Sequence, residues 1–177
     1  YPFGTDSLGR CILSQMIYGA RVALFVGFVA AIGAALLGTT LALLAGYFGG
    51  WIDRVISHFV DLWMSLPPVV LSVTLMVGFG TGVGNVILAI VLVDWTRFCR
   101  VVRSEVMVVA RKDFVSAAKL LGFGNLRIIL REILPSVAPL VITPLTLQVG
   151  IGIIVEAILS FVGLSVPADV PAWGQMI

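Results

Sequence analysis

Charge is scarce in this chain. Only 11% of its 177 residues are Asp, Glu, Lys or Arg, while 60% are hydrophobic; soluble domains carry about 25% charged residues. A core of this size cannot hide so much apolar surface from water, so an ordinary soluble domain is excluded and a lipid-facing surface is expected. Catalytic residues are equally thin. One histidine and two cysteines, Cys11 and Cys99, offer no metal-ligand spacing. No Gly-x4-Gly-Lys-Ser/Thr loop, His-Glu-x-x-His or Gly-x-Ser-x-Gly occurs. Gly78 to Gly84 is glycine-rich but departs from the dinucleotide-binding pattern. Neither a catalytic residue, a resident cofactor nor a metal site is expected here, and a net charge of +2 gives no case for a nucleic-acid partner. The sequence begins at Tyr1 without an initiator Met and ends at Ile177 in a segment that looks structured, so it reads as an internal piece of a longer chain.

What is abundant is uninterrupted apolar sequence. No charged residue lies between Arg21 and Asp53, between Asp61 and Asp94, or between Glu132 and Glu156. A membrane-crossing helix needs about 20 apolar residues. The first run gives a span at about 22–47, closed by Gly46, Gly49 and Gly50. The second is too long for one helix and breaks at Gly78–Gly84, which gives spans at about 56–79 and 85–103, the first kinked at Pro67 and Pro68. The third gives a span at about 137–161. The expected fold class is an all-α, polytopic transmembrane bundle with four spans in this segment, an outer segment 1–21 and an outer loop 163–177. Gly46/Gly50 and Gly78/Gly82 have the spacing of close helix packing. Nine basic residues (Arg54, Arg97, Arg100, Arg103, Arg111, Lys112, Lys119, Arg127 and Arg131) then fall on one side and two, Arg10 and Arg21, on the other. The basic side is the cytoplasmic one, and lipid headgroups are the default partners of most of these arginines.

The cytoplasmic loop, about 104–135, has internal order. Asp113 is placed to cap a short helix, Phe114–Leu121, and Gly122 stands where a left-handed residue ends one. Asn125 is placed to cap a second helix, Leu126–Leu134, whose Leu126, Ile129, Leu130 and Ile133 recur at helical spacing and which Pro135 stops. Ser116, Ala117 and Ala118 form a small-residue surface that suits either docking into a partner's groove or lying on lipid.

Ser-Ala-Ala-x3-Gly, running from Ser116 to Gly122 and followed by Ile-Leu-Pro at Pro135, resembles the "EAA" loop of ABC importer permeases, with Ser116 where that family has Glu. Pro2-Phe-Gly-Thr-Asp-Ser-Leu-Gly-Arg10, Tyr18-Gly-Ala-Arg21, Ala45-Gly-Tyr-Phe-Gly-Gly-Trp-Ile-Asp53, Leu159-Ser-Phe-Val-Gly-Leu164 and Pro171-Ala-Trp-Gly174 are similar to the C-type permease subunit of dipeptide and oligopeptide importers, which usually has Asp where Cys11 stands. The resemblance implies a type I importer permease (MetI-like) fold with a further helix before Tyr1 and another after Ile177. It also implies a coupling role for Phe114, Ser116, Ala117, Ala118, Leu121, Gly122 and Asn125. The implied partners are a second permease subunit, two cytoplasmic ATPase subunits that carry the ATP and Mg, and an extracytoplasmic solute-binding protein. The setting would be membrane lipid in a bacterial or archaeal plasma membrane. The cargo would be a di- or oligopeptide; nickel, glutathione or an opine are alternatives within the class, and a secondary transporter or channel without an ATPase is the alternative outside it.

Ionisable groups inside spans are costly and default to functional candidates. Glu156 and Asp61 are therefore candidates for the translocation path, against the alternative that each is paired structurally. His58 lies one helical turn from Asp61, and Asp94 and Arg97 are spaced for a local ion pair. The orientation is testable. Single cysteines at Ser7 and Asp169 should react with an impermeant reagent outside intact cells, and one at Lys112 should not; external labelling at Lys112 would reverse the topology.

Overall fold

A computed structural model describes residues 3–6, 9–167 and 170–176. Pro2, Ser7 and Leu8 of the N-terminal motif, and Ala168 and Asp169 of the outer loop, lie outside the described residues. The chain is α-helical, with no strand among the described residues beyond an isolated bridge between Thr5 and Cys11. The described residues form α-helices in the order α1 Ile12–Phe48, α2 Gly50–Met64, α3 Pro68–Phe79, α4 Val83–Val109, α5 Asp113–Leu120, α6 Asn125–Ile128 and α7 Leu134–Phe161. A single π turn, Ile129–Ile133, joins α6 to α7, and a 3-10 turn, Trp173–Met176, ends the described chain.

Several boundaries differ from the sequence reading. Helix α1 starts at Ile12 and runs 37 residues, because the charged and polar positions before Val22 interrupt apolarity without breaking helical geometry. The expected kink at Pro67 and Pro68 is a full break: α2 ends at Met64, Ser65–Pro67 are non-helical, and Pro68 opens α3, where its missing N–H costs nothing. Pro135 stops no helix. The ladder has already shifted before it, since the Leu134 N–H bonds to the Ile129 carbonyl, five residues back. That wider turn takes in a residue with no N–H of its own, so Asn125–Phe161 forms one 37-residue helical element. Among the described residues two helices, Ile12–Phe48 and Asn125–Phe161, are long and apolar enough to cross a membrane, with α2 and α3 together as a broken third. Helix α4 has 27 residues but carries Asp94, Arg97, Arg100 and Arg103.

The residues form two compact units. One comprises 33–67 and 93–146. Its core is Ala42, Leu43, Val60, Trp95, Cys99, Val102, Val106, Val109, Val115, Ala118 and Ile128, Ile129, Ile133 and Val137. Here α1 meets α4 along small residues four apart: Ala34, Gly38, Ala42 and Gly46 are all buried. A Cβ on Gly38 would lie 2.6 Å from Phe98 Cβ, and one on Gly46 2.6 Å from Val106 Cγ1. In lipid, where apolar burial drives little association, such backbone proximity supplies the packing energy. Gly46 therefore pairs with Gly38 through Ala42 and not with Gly50, which is open and lies in a left-handed turn (φ +56°). Helix α2 is fastened to α4 by ions: Arg103 Nε and Nη2 both donate to the Asp53 carboxylate, the latter at 2.7 Å, and Arg100 pairs with Asp61.

The other unit comprises 1–32, 68–92 and 147–177 and is built on Val26, Ala30, Met76, Val86, Ala89, Ile90 and Leu159. Gly27 of α1 and Gly152 of α7 pack closely: a Cβ on Gly152 would lie 3.3 Å from the Gly27 Cα. The Pro171–Gly174 motif has a structural task here. The Trp173 indole N–H donates to the Met16 carbonyl (3.0 Å), and a Cβ on Gly174 would lie 2.6 Å from the Phe161 amide nitrogen. Gly78, of the second expected close pair, has nothing nearby. Cys11 and Cys99 are both free thiols.

The two classes of glycine separate experimentally. Gly38→Ala should lower stability by about 1–3 kcal/mol through overpacking against α4. Gly150→Ala, with nothing within 4 Å of its Cβ, should be neutral or stabilising by up to about 1 kcal/mol from helix propensity. Denaturant titration of the purified chain in detergent reads both; equal effects would remove the backbone-contact account.

Candidate functional site

The loop between α4 and α6 is held at both ends of its short helix. At the start, Lys112 is extended (φ −72°, ψ 154°) and its carbonyl accepts from the Val115 and Ser116 amides. Asp113 is not the cap: it is the first helical residue, makes no side-chain cap bond, and sets its carboxylate near the positive end of the helix dipole. At the other end the Gly122 amide donates to Lys119 O (3.0 Å) and the Phe123 amide to Ala118 O (3.2 Å), with Gly122 at φ +78°. This is a Schellman motif, with Phe123 folding back onto the cluster that contains Ala118.

A second fastening comes from the end of α1. The Tyr47 hydroxyl donates to Asn125 Oδ1 (2.8 Å), and the Lys119 ammonium stands 5.0 Å from the centre of the Tyr47 ring. One side chain thus touches both helices of the loop. Asn125, expected as a cap, is the first residue of α6 and spends its side chain on Tyr47; Gly124 occupies the cap position. The Arg127 guanidinium stacks 4.0 Å from the Phe123 ring centre. No local sequence signal pointed to Tyr47, because its partners lie more than 70 residues away.

Side-chain directions are now fixed. Val115 and Ala118, three apart, are buried in the unit's own core. Ala118 therefore faces its own chain, which overturns the expectation that it faces a partner. Phe114, Ser116, Ala117, Leu120 and Leu121 face outward, with Leu120 90% and Leu121 71% exposed. In the second helix Ile128, Ile129 and Ile133 point in, while Leu126 and Leu130 point out. The π turn adds a residue per turn and rotates the apolar face that regular helical spacing assigned. What the loop offers is an outward surface of small, leucine and phenylalanine side chains, with Arg111, Lys112, Arg127 and Arg131 of the same loop also exposed.

The remaining candidates sit apart from this loop. Glu156 is fully buried; Ser165 Oγ donates to its Oε1 (3.1 Å), and its Oε2 has no hydrogen-bond partner among the described residues. Asp61 pairs with Arg100 and is exposed. His58 Nδ1 donates to the Arg54 carbonyl (2.7 Å), and Arg97 lies 3.8 Å from Asp94. No cluster of three or more His, Cys, Asp or Glu side chains suited to a metal occurs among the described residues.

Residues 38–177 match the family described as binding-protein-dependent transport system inner membrane component. The chain is 43% identical to a dipeptide transport system permease protein of Alkalihalophilus pseudofirmus, over 99% of this chain and 58% of that relative. It is 34% identical to a glutathione transport system permease protein of Pectobacterium atrosepticum, over 98% of this chain and 58% of that protein. A dipeptide permease of Bacillus subtilis is 37% identical over 98% of this chain and 54% of its own length. The chain spans a little over half the length of these curated relatives. Among solved structures, a chain of the MetNI methionine ABC transporter in an inward-facing conformation matches with a TM-score of 0.74 at 17% identity, covering 93% of this chain and 79% of that one. That likeness establishes a shared fold.

The fastenings of the loop can be cut singly. Gly122→Val forces a β-branched residue to φ +78° and should cost about 1–2 kcal/mol locally; Tyr47→Phe removes one hydrogen bond, about 1 kcal/mol. Both should raise amide exchange across 113–124 and leave 93–106 unchanged. Unaltered exchange in both variants would mean that neither contact holds the loop.

Proposed function

Because the chain belongs to the family of binding-protein-dependent transport system inner membrane components, we propose that it is the membrane-spanning permease subunit of an ATP-driven importer that carries di- or oligopeptides inward. It is a multi-pass plasma-membrane protein. A soluble binding protein delivers the solute outside, and two ATPase chains, with their ATP and Mg, work on the cytoplasmic side beneath this subunit and a second permease subunit. The chain itself does no covalent chemistry.

The observation that carries the reading is the outward apolar face of α5. Leu120 and Leu121 stand exposed on a helix whose inner side is anchored by Val115 and Ala118 and whose end is fixed by Gly122. Phe114, Ala117 and Leu121 are also exposed and stand at i, i+3 and i+7, the spacing at which a helix anchors itself in a partner's groove. Displacement of α5 by an ATPase passes through Tyr47 to α1. Through the π turn it also passes into α7, which is continuous with α6. The helical bundle then alternates between outward and inward openings. Ser116 replaces a carboxylate at the docking surface, so docking here rests on shape and apolar contact. Glutathione is the second reading for cargo, favoured by the glutathione permease among the relatives; it too is a small peptide.

Two measurements test this. Leu120→Asp and Ala117→Glu alter exposed positions and should leave permease abundance in the membrane near normal. Each should cut recovery of the ATPase on pull-down by roughly 30-fold, the loss of one interface hot spot. Full recovery with both would return the loop to a lipid-lying helix. For Glu156, the isosteric Glu156→Gln keeps an acceptor for Ser165. If the carboxylate serves passage, uptake should fall at least severalfold while the complex still assembles; normal uptake leaves Glu156 a structural residue.

A further inference from the structure

Helix α2 has two unlike faces. Toward α4 it turns Val60, which is buried, and its two acids, Asp53 and Asp61, are taken by Arg103 and Arg100. On the other side Trp51, Arg54, Val55, His58, Phe59 and Leu62 line an open groove of about 530 Å³. With both acids engaged elsewhere, the groove carries uncompensated positive charge. Among the described residues no acid pairs with Arg54, and the Trp51 indole N–H makes no hydrogen bond. Because His58 Nδ1 donates to the Arg54 carbonyl, the neutral ring presents Nε2 outward as an acceptor. Val55, Phe59 and Leu62 follow at i, i+4 and i+7 and form one apolar stripe. Phe59 is braced by stacking on Trp63 (5.6 Å) and Trp95 (6.2 Å). From Trp51 to Leu62 the helix runs roughly 16 Å.

An apolar groove roughly 16 Å long with a cation, a free indole donor and a free acceptor along it has the chemistry of one ligand class. We propose that this groove binds one anionic phospholipid whose headgroup carries a hydroxyl, as phosphatidylglycerol does. Arg54 and the Trp51 N–H take phosphate oxygens, His58 Nε2 accepts from the headgroup hydroxyl, and an acyl chain lies along Val55, Phe59 and Leu62. A choline headgroup cancels the charge and offers no donor to His58, so phosphatidylcholine is discriminated against. The site differs from general attraction of arginines to a bilayer surface in that it is a single groove with named polar contacts. It does not depend on whether α5 docks an ATPase.

Native mass spectrometry of the full-length chain, purified in mild detergent and supplied with phosphatidylglycerol or phosphatidylcholine, tests it. The wild type should retain one phosphatidylglycerol in preference to phosphatidylcholine, and inorganic phosphate should not displace it. Arg54→Gln should weaken retention roughly fivefold, the loss of one cation at a lipid surface, and Arg54→Lys should keep most of it. Leu62→Glu, at an exposed position, should abolish retention through the acyl end. Equal retention of the two lipids, displacement by phosphate alone, or unchanged retention in Arg54→Gln and Leu62→Glu would each overturn the proposal. So would photo-crosslinks from position 55, in cells, to another polypeptide and not to lipid.

Discussion

The loop, the ion pairs and the buried valines of the first unit all depend on how closely α1 comes to α4. That distance is set by the absence of side chains at Gly38 and Gly46, with Ala34 and Ala42 between and before them. In lipid, a leucine gains nothing by leaving its neighbours for a partner helix, so packing must come from backbone approach and from polar contacts. Once α1 lies against α4, Tyr47 arrives beside the loop that follows α4. The same α4 turns Arg100 and Arg103 toward the acids of α2. Removing one partner of the Asp53–Arg103 pair would leave a charge part-buried beside a membrane, which is why such residues occur in pairs.

The sequence made the helical runs legible because charges end them, and it made the turn at Gly122 legible because glycine alone enters φ +78° without cost. The errors have physical causes. Asp113-Phe-Val-Ser-Ala-Ala-Lys-Leu120 is apolar or small on nearly every side, so an eight-residue helix has no face that periodicity can assign, and nothing in the sequence marks Ala118 as core. Pro135 reads as a stop because an i, i+4 ladder cannot pass it; the π turn evades that rule one residue earlier. Asn125 looked like a cap because its type is right for one, but the Tyr47 hydroxyl had a stronger claim on it. Of these, the Asn125 miss came from a contact 78 residues away in sequence.

The two faces of α2 show the same division at another scale. A helix with acids on one side and cations on the other can satisfy only the side that meets protein. What the protein leaves unsatisfied the surrounding medium must supply, and at the edge of a membrane that medium includes charged lipid. The apolar stripe of α1, with Phe25, Phe28, Ile32 and Leu36 exposed, needs no such partner, since hydrocarbon satisfies it as it stands.

The fastening of the loop also governs what lengths of chain it tolerates. Surface connections ordinarily accept insertions and deletions, and the four residues between α5 and α6 would be an obvious place for them. Here the Gly122 and Phe123 amides close back onto Lys119 and Ala118, and Tyr47 holds Asn125 and Lys119 at one spot from outside. A single residue added between Leu121 and Asn125 could satisfy the turn or the tyrosine, but not both. The stretch is thus fixed in count as well as in conformation, and it can take a changed side chain more readily than a changed length.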